Sequence, residues 1–344
     1  MQATLERNPL RGFRVDREFI GYLGKDLQRP ECILAERNGT LWAADARGGV
    51  MRIDGDGRQT LVAPDADRRF SDTADLHERF MKGTLPNGLA FAANGDILVA
   101  NFGTDVLEVM TRDGRRRVLH DSIDGRPIGK VNFVLRDSRD RVWLTVSTRV
   151  NPWAEALRPG LADGYVALAD ARGIRIVAEG FAFTNEIRLD AAERWMYIVE
   201  TAGKRISRMR VDVDGSLFGR EVFGPRTLGP GFPDGIAFDA HGNLWGTLVM
   251  SDRLFALTPE GECLTLLDDG NDAATGLLEE KFAAGTLTSA DMLRAHGTIA
   301  PWMASVTFGG PDLRTVYLGS LMGTRIPWFR SPVPGLPMRH WGDA

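Results

Sequence analysis

Four polar residues stand at matching places in a repeated sequence pattern, and their side chains are of the kind that binds hard metal ions. Each precedes a short apolar run, which turns at polar residues into a second apolar run. The four are Glu31, Asn132, Asn185 and Asp234. Carboxylate and amide oxygens, without sulfur or imidazole, are the ligands that Ca²⁺ prefers. If these side chains meet in space, they predict a divalent metal centre for Ca²⁺, with Zn²⁺, Mn²⁺ or Mg²⁺ as alternatives.

A centre of this kind predicts hydrolysis. A divalent ion bound through oxygens polarises a carbonyl group and activates water for attack on it, so no serine nucleophile is needed. Asp234 or Glu31 would accept the proton of that water, and we favour Asp234. The alternative is that polar residues at strand starts satisfy backbone groups or line a hydrated channel, which is the better interpretation for any one residue alone. Four residues at one register favour the metal centre.

The repeated pattern predicts the fold that brings these residues together. Six units open at Glu31, Asn87, Asn132, Asn185, Asp234 and Ser305, spaced by 45 to 71 residues. Each contains signals for four short antiparallel strands, so the chain is predicted to be an all-β, six-bladed β-propeller with residues 1–344 in a single domain. The innermost strands of such a ring converge on its axis. Residues 13–16 are expected to supply the outermost strand of the last blade.

Three insertions interrupt the strand rhythm and are expected to lie over the metal-bearing face. Residues 65–83, 151–163 and 271–297 carry apolar residues at helical spacing or in clusters. Strand direction places all three on the side where the inner strands begin, either as short helices that form pocket walls or as plain surface helices. Trp153, in the second insertion, is a candidate substrate contact. Together with Phe102, Met250 and Trp302, it indicates an apolar pocket, although aromatic residues in a β-protein are more often core.

Composition excludes several classes of function. Forty-two basic and 46 acidic residues give a formal net charge of −4, which does not favour nucleic-acid binding. No apolar stretch approaches the ~20 residues of a membrane span, and the N-terminus has no secretory apolar core. We therefore expect a cytoplasmic protein with a small-molecule substrate and no membrane or nucleic-acid partner. The number of chains in its assembly is left open.

The motifs at the strand starts resemble those of the SMP-30/gluconolactonase/LRE-like family over essentially the whole chain. They are Pro30-Glu31, Val131-Asn132, Thr184-Asn185 and Pro233-Asp234-Gly235. The resemblance implies a calcium-dependent propeller that hydrolyses lactones, with Glu31, Asn132, Asn185 and Asp234 as metal ligands. It also implies that Lys130 stands where sugar-lactonase relatives carry a substrate-binding arginine. Asn87, at the same register in the second unit, is expected at the rim, where it would bind substrate instead of metal or act only as a turn residue.

The predicted function is that of a metal-dependent lactonase or esterase-type hydrolase, which opens a sugar or an aromatic or apolar lactone by attack of metal-activated water. Two alternatives remain. One is a phosphotriesterase-like hydrolase of the diisopropylfluorophosphatase type, which the resemblance also implies. The other is a non-catalytic propeller scaffold that calcium stabilises.

Overall fold

Six four-stranded antiparallel sheets surround a central axis and form the blades of a β-propeller. This computed structural model describes residues 8–63 and 85–342. The predicted all-β, six-bladed fold is confirmed. Consecutive strands pair with one another within each blade, as short polar turns between apolar runs require.

The strands are numbered along the chain. β1 (Gly21–Leu23) precedes blade 1, which consists of β2 (Ile33–Ala35), β3 (Leu41–Asp45), β4 (Gly49–Ile53) and β5 (Gln59–Val62). Blade 2 consists of β6 (Pro86–Phe91), β7 (Ile97–Asn101), β8 (Val106–Met110) and β9 (Arg116–His120), and a small hairpin follows it with β10 (Ser122–Ile123) and β11 (Arg126–Pro127). Blade 3 consists of β12 (Val131–Arg136), β13 (Val142–Val146), β14 (Gly164–Asp170) and β15 (Gly173–Phe181).

Blade 4 consists of β16 (Thr184–Leu189), β17 (Trp195–Glu200), β18 (Arg205–Val211) and β19 (Leu217–Phe223). Blade 5 consists of β20 (Phe232–Phe238), β21 (Leu244–Val249), β22 (Arg253–Leu257) and β23 (Cys263–Asp268). Blade 6 consists of β24 (Met303–Gly309), β25 (Thr315–Ser320), β26 (Ile326–Arg330) and, from the start of the chain, β1. The innermost strands are β2, β6, β12, β16, β20 and β24.

The N-terminal part of the chain closes the ring, but not with the residues that the sequence suggested. Strand β1 pairs antiparallel with β26 in blade 6, whereas residues 13–16 run past the edge of blade 5, where Val15 N donates to Leu266 O over 2.8 Å. Asp16 caps a short 3₁₀ turn over Arg17–Phe19. This turn redirects the chain before Gly21, so the predicted position of the closing strand was wrong.

A carboxylate–tryptophan pair recurs at the turn that follows an inner strand. In each pair the indole Nε1 of the second strand donates to an acidic side chain in the turn, so a large apolar ring is buried with its polar atom satisfied. The pairs are Glu36–Trp42, Asp137–Trp143 and Asp239–Trp245, with N–O distances of 2.8, 2.8 and 2.9 Å. This contact explains why acidic residues and tryptophans accompany the turns of the repeat.

In the described part of the chain, helical segments form in the second and third predicted insertions. The third insertion forms α1 (Asp272–Ala283) and α2 (Ser289–Arg294), and the second forms a 3₁₀ turn over Trp153–Ala156. Phe282 of α1 packs against Phe232, at the start of β20, with ring centroids 5.0 Å apart. Residues 65–83 lie outside the described residues. Within the described part of the chain, no helix has the length and apolar character needed to cross a membrane.

The C-terminal segment Gly335–Gly342 crosses the opposite face, where the inner strands end. Leu336 N donates to Phe238 O of blade 5 over 2.9 Å, and Trp341 Nε1 donates to Ala35 O of blade 1 over 2.8 Å. The two ends of the axis therefore differ, because this segment spans one of them and side chains from the strand starts line the other.

Candidate active site

Three of the four candidate ligands lie where an inner strand departs from regular pairing. The register of β12 shifts between Val131 and Phe133, so Asn132 has no partner across the sheet. Similar shifts span residues 184–187 in β16 and 233–236 in β20, which contain Asn185 and Asp234. A bulge turns a side chain away from the sheet and is common beside active sites. Here the bulges direct polar side chains along the axis.

Threonines on the second strands satisfy the backbone that two of these bulges expose. Phe133 N donates to Thr145 Oγ1 over 3.1 Å, and Gly235 N donates to Thr247 Oγ1 over 3.0 Å. A buried N–H without such a partner would cost free energy comparable to a lost hydrogen bond. The bulged conformation is therefore built into the sheet, and it does not depend on a ligand.

The four predicted ligands line one cavity. It opens at the end of the axis where the inner strands start. Glu31, Asn132, Asn185 and Asp234 are 1, 4, 4 and 5 % exposed. The structure therefore brings together residues that are separated by as many as 203 positions along the chain.

The donor set fits a hard divalent cation. Glu31 Oε2 and Asn185 Oδ1 are buried and have no hydrogen-bond partner. Asn185 Nδ2 donates to Thr201 Oγ1 over 3.1 Å, and this hydroxyl donates to Pro233 O over 2.8 Å, which leaves the carbonyl oxygen of Asn185 for another partner. Among the described residues, no three His, Cys, Asp or Glu side chains are grouped as a metal site. Any cation here would rely on the asparagine oxygens together with the two carboxylates.

Asn87 connects three neighbours within the site. Its Oδ1 accepts from Arg29 Nη2 over 2.5 Å, and its Nδ2 faces Glu31 Oε1 at 3.3 Å and the backbone and side-chain oxygens of Asn132 at 3.1 and 3.3 Å. Because a guanidinium can only donate, the orientation of this amide is fixed. Asn87 is 3 % exposed and lines the cavity. Its contact with substrate stays a prediction.

Arg29 is a site residue that sequence reasoning missed. It lines the same cavity, and its Nη1 donates to Pro86 O over 3.0 Å, so its side chain bridges from blade 1 to blade 2. Its backbone has a φ of +59°, which is uncommon for a residue other than glycine. The only signal in the sequence was a basic residue two positions before Glu31.

Burial dominates the electrostatics of the centre. It raises the pKa of Glu31, and the nearby Arg29 only partly opposes this effect. Burial likewise raises the pKa of Asp234 well above its ordinary range, and the neighbouring Glu31 carboxylate raises it further. Two carboxylates face the cavity and share one arginine. A cation bound between them would stabilise both charges.

The cavity walls are apolar. Trp153 packs edge-on against Phe102 with ring centroids 5.7 Å apart and lies 6.2 Å from the ring of Phe183. The remaining apolar lining comes from Leu157, Val249, Met250, Trp302 and Leu321. Trp153 Nε1 is buried without a hydrogen-bond partner. The wall therefore offers a broad aromatic surface to a ligand.

Lys130 lies behind the wall and is not among the residues that line the cavity. Its Nζ forms a salt bridge with Asp105 at 2.8 Å and lies 5.7 Å from the ring centroid of Phe102. The side chain is 10 % exposed. The predicted contact between Lys130 and substrate would require this ion pair to open.

Asp252 is a second residue that the sequence did not reveal. Its carboxylate accepts from the backbone N–H groups of Gly297, Trp302 and Met303 at 2.6, 3.1 and 2.8 Å. It therefore anchors the chain where the insertion that contains the two helices returns to blade 6. Because Trp302 lines the cavity, this buried carboxylate helps to position the wall.

Comparison with known proteins places the chain in a family. The profile of the SMP-30/Gluconolactonase/LRE-like region matches residues 30–275. The chain belongs to this family. It is 25 % identical to 6-deoxy-6-sulfogluconolactonase of Pseudomonas putida over 180 residues, which are 50 % of this chain and about half, 52 %, of that protein.

Two further similarities cover more of the chain. It is 25 % identical to pentonolactonase XacC of Haloferax volcanii over 295 residues, 85 % of this chain and 67 % of that protein. The crystal structure of regucalcin from Agrobacterium tumefaciens, described as a calcium-binding protein, superposes with a TM-score of 0.64 at 15 % identity. That superposition covers 92 % of this chain and 96 % of the other, and it supports the propeller fold.

Proposed function

We propose that the protein hydrolyses lactones at a divalent metal centre formed by its axial oxygens, with Ca²⁺ as the ion. The observation that carries this proposal is the pair of buried, unpartnered oxygens, Glu31 Oε2 and Asn185 Oδ1, in one cavity with the side chains of Asn132 and Asp234. The names of the related proteins, sulfogluconolactonase and pentonolactonase, support the reaction class. The calcium-binding regucalcin supports the choice of ion.

The chain's own residues have separate roles in this reaction. When bound, the ion would supply electrophilic activation of the carbonyl group and of the attacking water. Glu31 Oε1 already accepts from Asn87, which leaves its Oε2 for the ion. Asp234 would accept the proton of the attacking water, because its buried carboxylate lines the same cavity. Arg29 and Asn87 hold the side chains of Glu31 and Asn132 in place through their hydrogen bonds.

The walls favour a lactone with an apolar or aromatic body. Among the described lining residues, Thr201 and Asn87 have their hydrogen-bonding groups engaged within the protein, and the buried donors without a partner are Trp153 Nε1 and Arg29 Nε. Each sugar hydroxyl buried against this wall without a partner would cost roughly 1 to 3 kcal/mol. A sugar lactone therefore gains less from the cavity than an alkyl or aryl lactone of the same ring size.

A matched substrate panel tests this proposal. A polyhydroxylated δ-lactone, an alkyl-substituted δ-lactone, an aromatic lactone and a phosphotriester are assayed with Ca²⁺, Zn²⁺, Mn²⁺ or Mg²⁺. We expect calcium-supported turnover of lactones, fastest for the alkyl and aromatic compounds, and Asp234→Asn serves as the inactive control. Turnover of the phosphotriester alone would favour the phosphotriesterase alternative. Absence of any turnover would favour the scaffold alternative.

A further inference from the structure

We propose that Arg29 is a counter-charge of this centre. Its positive charge offsets the carboxylates of Glu31 and Asp234, so it stabilises the metal-free protein and weakens the binding of a divalent cation. The inference rests on the metal centre of the proposed function. It gives Arg29 a role in setting how readily the centre takes up its ion.

A single amide group separates the guanidinium from a ligand carboxylate. Arg29 Nη2 donates to Asn87 Oδ1 over 2.5 Å, and Asn87 Nδ2 lies 3.3 Å from Glu31 Oε1. Asp234 lines the same cavity. The side chain of Arg29 is nine-tenths buried, so water screens its charge little. Its field therefore acts on both carboxylates and on any cation between them.

The backbone holds Arg29 in this place at a conformational cost. A φ of +59° is unfavourable by about 1 kcal/mol for a residue with a β-carbon. The same turn brings Glu31 N to Arg29 O over 2.8 Å, and the O of the intervening Pro30 accepts from Ser320 N of blade 6 over 3.0 Å. The conformation that places the guanidinium on the axis also directs Glu31 into the cavity. The two side chains are thus positioned as a unit.

The charges facing the cavity do not balance a divalent ion. Among the described lining residues the charged side chains are Arg29, Glu31 and Asp234, which together carry a charge of −1 when both carboxylates are ionised. Behind them, Glu186 and Arg188 form a buried ion pair at 2.9 Å that adds no net charge. A divalent ion would therefore leave the centre at +1. Without Arg29 the same ion would be neutralised.

Coulomb's law sets the size of the effect. A fixed unit charge about 7 Å from a divalent ion, at an effective dielectric constant of about 20, would weaken ion binding by on the order of 10³-fold. The same charge favours the ion-free protein, because it offsets two buried carboxylates that otherwise repel each other. Removal of Arg29 should therefore have opposite effects on the two states.

Calorimetric titration with CaCl₂, in the absence of substrate, tests the inference. We expect Arg29→Met to bind Ca²⁺ on the order of 10³-fold more tightly than the wild type and to melt at a lower temperature when metal-free. Arg29→Lys, which keeps the charge, should stay near the wild type. Arg141→Met is a matched control, since Arg141 is equally buried but pairs with Asp137 at 2.6 Å in a turn of blade 3. That control should lose stability without a change in calcium affinity.

A double variant keeps the test decisive if Arg29→Met does not fold. Arg29→Met combined with Glu31→Gln removes one charge of each sign, and its metal-free melting temperature should recover toward that of the wild type. The proposal would be wrong if folded Arg29→Met had the calcium affinity of the wild type, or if the melting temperature of the double variant did not recover. Lactone turnover by the wild type would then leave the proposed function intact. A lack of both calcium binding and turnover in every protein would remove the metal centre itself.

Discussion

Glu31 and Glu200 are two glutamates of equal burial in opposite surroundings. Both are at most 1 % exposed. Burial by itself would raise the pKa of Glu200, but hydrogen bonds from Arg205 at 2.9 Å, Ser207 at 2.5 Å and Arg220 at 2.8 Å outweigh it and lower that pKa to about 2. Glu31 instead leaves Oε2 without a partner, and its pKa is raised.

The difference in hydrogen-bond partners indicates that the Glu200 carboxylate stabilises the fold, whereas the Glu31 carboxylate can bind a ligand. The partners of Glu200 belong to blade 4, so its charge is stabilised whenever that blade is folded. Glu31 lies on the axis, where no protein donor reaches its second oxygen in the described structure. A buried polar group without a partner destabilises the fold, and its presence in a native protein indicates a role other than stability. We therefore expect changes at Glu200 to affect stability, and changes at Glu31 to affect activity.

The largest expected effect is on turnover. Asp234→Asn should lower kcat for lactone hydrolysis by about 10³-fold, because it removes the proposed proton acceptor and one of the two charges that hold the ion. Initial rates at saturating lactone and Ca²⁺ measure the loss. The melting temperature of the metal-free variant should not fall. Retention of more than a tenth of the wild-type kcat would rule out this role for Asp234.

The next effect is on folding. Glu200→Gln should lower the free energy of unfolding by about 3 kcal/mol, because it removes the buried charge that accepts hydrogen bonds from Arg205, Ser207 and Arg220. Urea denaturation at neutral pH measures this change. Glu31→Gln is the matched comparison and should leave the metal-free stability unchanged or raise it. Equal destabilisation by the two substitutions would erase the distinction between the two glutamates.

The pH dependence of stability sharpens the same comparison. The folded-state pKa of Glu200, about 2, lies below its unfolded value of about 4.3, so its ionised form stabilises the fold fully above the unfolded pKa. This contribution, up to about 3 kcal/mol, should disappear as the pH falls toward 2. Glu200→Gln should lack this part of the acid dependence. Identical acid transitions in the two proteins would contradict the assignment.

Local signals in the sequence were sufficient for the blades and the four candidate ligands. Turn residues between apolar runs define each blade. Because equivalent positions in a closed ring meet at its axis, the repeat also predicted that Asn132 and Asp234 lie in one cavity, as they do. Arg29 was not predictable in this way because its partner Asn87 lies 58 positions away and is reached only through the ring. The contacts of Asp252 with residues 297–303 likewise depend on the path of an insertion.

The direction in which a side chain points could not be predicted from the sequence either. The register of Lys130, two residues before Asn132, suggested a substrate contact, but its ammonium group pairs with Asp105 from the neighbouring blade. Such pairing between blades depends on the packing of the whole ring. The sequence therefore did not reveal the partner of Lys130, although the four wall residues that it indicated, Trp153, Phe102, Met250 and Trp302, all line the cavity.

The smallest expected effect concerns the wall. Trp153→Ala should lower kcat/KM for an aromatic lactone by about 10-fold and leave a sugar lactone nearly unchanged, since it removes apolar contact and little hydrogen bonding. Steady-state kinetics with both substrates measure the ratio. Trp195→Ala is the control, because Trp195 contacts Arg208 and Arg210 and does not line the cavity. A parallel loss for both lactones would show that Trp153 does not select the substrate.

The most direct test of the account is a titration of Ca²⁺ into metal-stripped protein, with lactone turnover and calcium binding followed on the same sample. The account predicts no turnover before calcium is added and an activation curve that coincides with the binding curve of a single site. Full turnover by the stripped protein, or calcium binding that Asp234→Asn leaves unaffected, would contradict it.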